Sequence, residues 1–175
     1  MKEIRLLEPD EIEVRVGIVK DIGCTLLLYK DARCDMRILD ETFGICGWRR
    51  THRQIGDNLF CSVEIYDEQK KEWITKEDVG KESYADKEKG AASDSFKRAC
   101  VNIGIGRELY TAPFIWINAE NTVICPHKDK FVVKDSFKVM EIQYDSKKNI
   151  SYLSIINKKG NLVYQYGQKV ARKAA

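Results

Sequence analysis

The sequence predicts an α+β fold in which one long helix packs across an antiparallel β-meander, with a C-terminal β-hairpin region after it. Three observations predict it. Leu59, Cys61, Val63 and Ile65 alternate with Phe60, Ser62, Glu64 and Tyr66, the two-residue period of a strand with unlike faces. Short polar segments, Gly56-Asp57-Asn58 and Asp67 to Lys71, join that strand to flanking strands from Trp48 to Gln54 and from Trp73 to Val79. From Tyr84 to Ile103 the pattern turns helical. Ala92, Phe96, Ala99, Cys100 and Ile103 share one face, and Gly104 with Gly106 ends the element.

The remaining elements follow the chain. Glu8-Pro9-Asp10 is a helix-start or turn signal, and the mixed stretch from Glu11 to Val19 receives no assignment. Cys24 to Tyr29 is a short apolar run suited to a buried strand. Asp31 then caps a helix whose apolar positions Met36, Ile38, Leu39 and Phe43 precede Gly44 and Gly47. Beyond Pro113, strand-like stretches run from Phe137 to Tyr144 and from Ile150 to Ile156. A Lys158-Lys159-Gly160-Asn161 turn leads to a last strand from Leu162 to Tyr166. One domain is expected: a core over 1–112, an extension of it over 113–167, and a loose basic tail over 168–175.

At 175 residues and 43% hydrophobic, the chain can bury one good core but not two full-sized ones. No apolar run reaches the roughly 18 residues of a membrane span, and Met1-Lys2-Glu3-Ile4-Arg5 lacks the apolar core of a secretion signal. A soluble, cytoplasmic protein with no membrane partner is the expectation. The six cysteines form no C-x-x-C pair and read as reduced core residues. A net charge of +3 neither demands nor excludes a polyanionic partner, so the placement of the charges has to decide.

Two segments carry basic residues in a suggestive order. On the long helix, Lys97 and Arg98 lie about 100° apart on the polar arc, with Lys89 two turns earlier, an arrangement that can hold successive phosphates. Asp94, four residues before Arg98, offers an ordinary surface ion pair instead. On the first meander strand, Arg49 and Arg53 point one way while Trp48, Arg50 and His52 point the other. Arginines among aromatics suit unpaired bases, and they equally suit a charge-protected edge strand.

Other chemistry is poorly supported. Cys125-Pro126-His127 lacks the ligand number and spacing of a zinc site, and His52 with Cys61 makes no convincing nucleophile pair. Gly104-Ile105-Gly106-Arg107 is not a phosphate loop, and no two carboxylates stand out as a two-metal cluster. No cofactor is expected.

Read together, Phe43-Gly44-x-x-Gly47-Trp48, Glu77-Asp78-Val79-Gly80 and Ser93-Asp94-x-x-Lys97-Arg98-Ala99 with Gly104 resemble the Rad52-type annealing domain and its phage Sak-like relatives, over about Arg15 to Tyr110. The resemblance implies protomers joined edge to edge into a homo-oligomeric ring, with single-stranded DNA in an outer basic groove. The strand is gripped by its backbone with its bases turned outward for annealing, as in homologous recombination. The resemblance also implies a non-enzymatic, ATP-independent protein, with a single-strand-binding protein or an exonuclease as candidate partners. By motif, Lys97 and Arg98 match the groove floor, Lys89 an earlier basic position and Arg15 a groove arginine. A further basic position one turn on falls here on Val101, for which Arg49, Arg50, Arg53 or Arg107 are the candidates to compensate. Two other classes stay open: an RNA or duplex-DNA binding module on the same platform, and a metal-dependent nuclease or other hydrolase using carboxylates assembled in space.

Overall fold

The structure is a computed structural model that describes residues 2–80 and 87–170. In chain order, strands β1 (Glu13–Lys20) and β2 (Gly23–Tyr29) precede helix α1 (Ala32–Phe43). Strands β3 (Trp48–Ile55), β4 (Asn58–Asp67) and β5 (Glu72–Gly80) lead to helix α2 (Lys87–Ile103). Six strands follow: β6 (Ile115–Asn118), β7 (Ile124–His127), β8 (Lys130–Val133), β9 (Phe137–Tyr144), β10 (Ile150–Asn157) and β11 (Leu162–Tyr166). The fold is α+β, with antiparallel sheets and, among the described residues, two α-helices.

The chain forms two compact units. The first takes residues up to Leu7 and from Lys30 to Arg107, and holds both helices and the three-stranded meander β3-β4-β5. Asp31 caps α1 as its spacing predicts, its side chain accepting from the Cys34 N–H at 2.7 Å. The meander register runs unbroken from Trp48↔Ile65 to Ile55↔Asn58 and from Leu59↔Gly80 to Asp67↔Glu72. One face carries Cys61, Val63 and Ile65 against α2, which contributes Phe96, Ala99 and Cys100, all buried.

Gly80 sets how closely that helix approaches. A Cβ at this position would stand 2.2 Å from the Ala91 carbonyl oxygen and 2.7 Å from the Ser95 nitrogen, both backbone atoms that cannot swing aside. Only glycine lets β5 meet α2 there. At its far end α2 stops at Gly104, which has φ of +122°, and Gly106 has φ of +71°.

The second unit takes residues 8–29 and 108–170 and is built on a six-stranded sheet in the order β11-β10-β9-β1-β2-β6. Its core holds Cys24, Leu26, Ile115, Ile117, Ile142, Leu153 and Ile155. The C-terminal strands form as read, with β9, β10 and β11 paired antiparallel in succession, and they join the N-terminal strands β1 and β2 in one sheet, where Glu13 pairs with Lys138. The unassigned stretch after Glu11 is β1, and β6 and the hairpin β7–β8 are strands the sequence did not announce. Cysteines 24, 34, 61 and 100 are buried as expected, whereas Cys46 is exposed in the loop between α1 and β3 and Cys125 is half-buried.

Replacing Gly80 with alanine should destabilise the protein by about 2–4 kcal/mol, since the helix must lift from the strand to admit one methyl group. Urea unfolding measures this, and an unchanged midpoint would mean that α2 does not depend on the close contact.

Candidate nucleic-acid interface

Helix α2 lies on the meander with Phe96 as its anchor. The Phe96 ring stacks on Trp48 with centroids 6.1 Å apart, and the Arg50 guanidinium sits 4.5 Å from its centroid. Trp48 is held in turn by α1, its indole N–H donating to the Asp40 carboxylate at 2.7 Å. From β3, His52 Nε2 lies 3.2 Å from the Ala92 carbonyl oxygen. With Phe96 pinned to the sheet, the helical period turns Lys97 and Arg98 to the half-exposed outer arc.

The two basic residues differ in what holds them. Among the described residues, no ion pair or hydrogen bond engages the Lys97 ammonium. Arg98 donates through Nε to Asp78 Oδ1 of β5 at 3.2 Å, while its two terminal nitrogens have no partner among the described residues. Asp78 is thus an ion-pair partner for Arg98 that sequence spacing did not reveal, and it is held by Asn102 Nδ2 at 3.3 Å. Half of the pair is open to a phosphate and half is shared with a carboxylate.

The other sequence candidates separate. Arg50 lies on the helix side of the meander, stacked on Phe96 and without an ion pair among the described residues. Arg49 and Arg53 occupy the opposite, open face, as alternation requires. Arg49 pairs with Glu64 and lies 4.2 Å from the Trp73 ring centroid. Arg53 makes a two-point contact with Glu77, at 2.7 and 3.0 Å, and Glu77 also accepts from Ser62. Those arginine bonds hold the Glu77 carboxyl below its ordinary range. The open face is therefore an arginine–glutamate ladder whose charges cancel across strands.

Arg107 caps α2, donating to the carbonyl oxygens of Val101 and Asn102 at 3.0 to 3.2 Å. Arg15 belongs to the second unit, where it pairs with Glu13 at 2.6 Å and lies 4.8 Å from the Tyr29 ring centroid. Lys89 lies in the first turn of α2, and its side chain falls outside the described residues.

Beneath the Lys97 turn lies a pair that sequence reading missed. Lys30, 5% exposed, forms an ion pair with Asp35, 0% exposed, and its Nζ also donates to the Lys97 carbonyl oxygen at 3.3 Å. Burial pushes the Asp35 carboxyl up to about 6, outweighing the opposing attraction of Lys30 and Lys97. An unfolded aspartate titrates near about 4, so this group's contribution to stability is full below that pH and is lost as pH rises through about 6. Among the described residues, no group of three or more histidine, cysteine, aspartate or glutamate side chains is placed to hold a metal ion.

Lys30→Met alone should cost about 3–5 kcal/mol, because it strands a buried carboxylate. The double replacement Lys30→Met with Asp35→Leu should return to within about 1 kcal/mol of the parent. Denaturant melts of the three chains check this, and equal losses in the single and double variants would deny the pairing.

No curated protein and no solved structure matches the chain. Residues 5–124, more than half of its length, match the model of the Rad52/22 family double-strand break repair protein. That span includes the whole meander, the Gly80 contact and the α2 arc with Lys97 and Arg98. The chain belongs to the Rad52/22 family, whose work is double-strand break repair by recombination.

Proposed function

We propose that this protein binds single-stranded DNA along the outer arc of α2 and anneals complementary strands without ATP, as a ring-forming member of the phage Sak-like kind. The observation that carries this reading is that the Lys97 ammonium and the two terminal nitrogens of Arg98 have no partner among the described residues, in a chain of a break-repair family. Annealing needs a protein that holds phosphates and leaves base edges free. Lysine and arginine at adjacent helix positions can do the first. Arg50, without a carboxylate partner among the described residues and fixed by Phe96, adds a third cation on the helix side of the sheet.

Ring formation fits the same physics. The protomer is only weakly charged at +3, so a few cations per copy make a strong track for a polyanion only when copies are repeated in register. The meander also has two outer strands, β3 and β5, with no further strand beside them among the described residues, and association of copies is one way to satisfy such edges.

Lys97→Ala with Arg98→Ala should lower affinity for an oligo-dT strand at least about tenfold at low salt. It should also reduce the slope of log affinity against log salt by about 1.4 per protomer, the value for two lost phosphate contacts on a single strand. The far-ultraviolet circular dichroism should not change, since neither side chain is in the core. Fluorescence anisotropy over a salt series reads both quantities. Unchanged affinity would end this reading, and equal competition by duplex or RNA would replace it with a general nucleic-acid binder. Native mass with and without the oligonucleotide tests the ring.

A further inference from the structure

The Lys30–Asp35 pair has a cost that packing alone does not explain. A buried pair of this kind is commonly no better for stability than apolar side chains of similar size. Here the cost is raised further, because Asp35 Oδ2 is buried and has no hydrogen-bond partner among the described residues. Space is nonetheless made for the lysine: a Cβ on Gly106 would lie 2.3 Å from Lys30 Cε. The stem passes over a glycine so that its ammonium reaches both Asp35 and the Lys97 carbonyl.

Among the described residues, few charged and titratable groups face Asp35. Lys30 comes from the segment before α1, Asp31 from the α1 cap, and Lys97 and Cys100 from α2. Among the described residues of the outer arc, Lys97 is the one joined to the pair, through its carbonyl oxygen, and its charge acts on Asp35. Its attraction to the buried carboxylate competes with its attraction to a phosphate, through low-dielectric protein where screening is weak.

We propose that Lys30 and Asp35 are positioning residues of the strand-binding site: Lys30 anchors the α2 turn that presents Lys97, and the Asp35 carboxylate weakens Lys97's hold on phosphate until it takes up a proton. The proposal rests on the strand-binding reading above. A phosphate at Lys97 and a proton on Asp35 then favour each other, by reciprocity of coupled binding. Burial already brings the Asp35 proton within reach of mildly acidic conditions.

The test uses an oligo-dT strand without terminal phosphates, so that the ligand does not titrate between pH 5.5 and 7.5. Affinity of the parent should rise about two- to fivefold from pH 7.5 to pH 5.5 relative to Asp35→Asn. The variant should already bind at pH 7.5 with the tighter affinity. Both chains share His52 and His127, so their contribution cancels in the comparison. Titration calorimetry of the parent at pH 6 in two buffers of different ionisation enthalpy should show proton uptake on binding. The Lys30→Met, Asp35→Leu double variant should show no such uptake, which covers the case in which Asp35→Asn alone fails to fold. Parallel pH profiles in parent and Asp35→Asn, or equal proton uptake in parent and double variant, would overturn the inference. If the parent binds, and Lys97→Ala with Arg98→Ala does not, such a result removes only this inference. If those alanines bind as the parent does, the strand-binding reading falls and this inference falls with it.

Discussion

The seating of α2 on the meander is the constraint from which the rest follows. Gly80 admits the helix backbone to within contact of β5, and Phe96, held by Trp48 and Arg50, fixes its rotation. Successive residues of a helix are turned by about 100°, so a slip of one position would carry Lys97 from the outer arc toward the sheet. The basic pair is thus presented by apolar packing on the reverse side of the helix. Its direction is decided by a glycine and two aromatic rings that carry no charge.

The same meander treats its arginines in two ways. On the open face, Arg49 and Arg53 each meet a glutamate across the strands, and the face is electrically quiet. On the helix side, Arg50 lies over an aromatic ring with no carboxylate among the described residues. With 30 basic against 27 acidic residues in the whole chain, the total says little about a polyanionic partner. The strand period sorts the charges, placing cancelled ones on one side and available ones on the other.

Much of the first unit was legible in the sequence because its signals are local. The alternation in β4, the turns on either side and the Asp31 cap each lie within a few residues, and each forms as read. What was not legible depends on partners distant in sequence. Asp94 was the visible candidate partner for Arg98, yet Asp78, twenty residues away, holds it, through a register that only the folded sheet defines. Lys30 and Asp35 look like solvent-facing polar residues at a helix start, and only the packing of α1 and α2 buries them. In the second unit, β1 exposes Val16 and Ile18, so its apolar residues do not report a single buried face. Strands β6, β7 and β8 have four residues each, too few for a period to show.

The cysteines divide in a way that gives the molecule its own reporter of local opening. Cys46 is exposed in the loop after α1, so a thiol reagent reaches it while the protein is folded. Cys61 and Cys100 line the contact between the sheet and α2. Burial pushes the Cys61 thiol up to about 11 and raises that of Cys100 as well, leaving both unreactive while the helix is seated. Their modification therefore clocks the parting of helix from sheet, and the immediate reaction at Cys46 supplies the reference against which that clock is read.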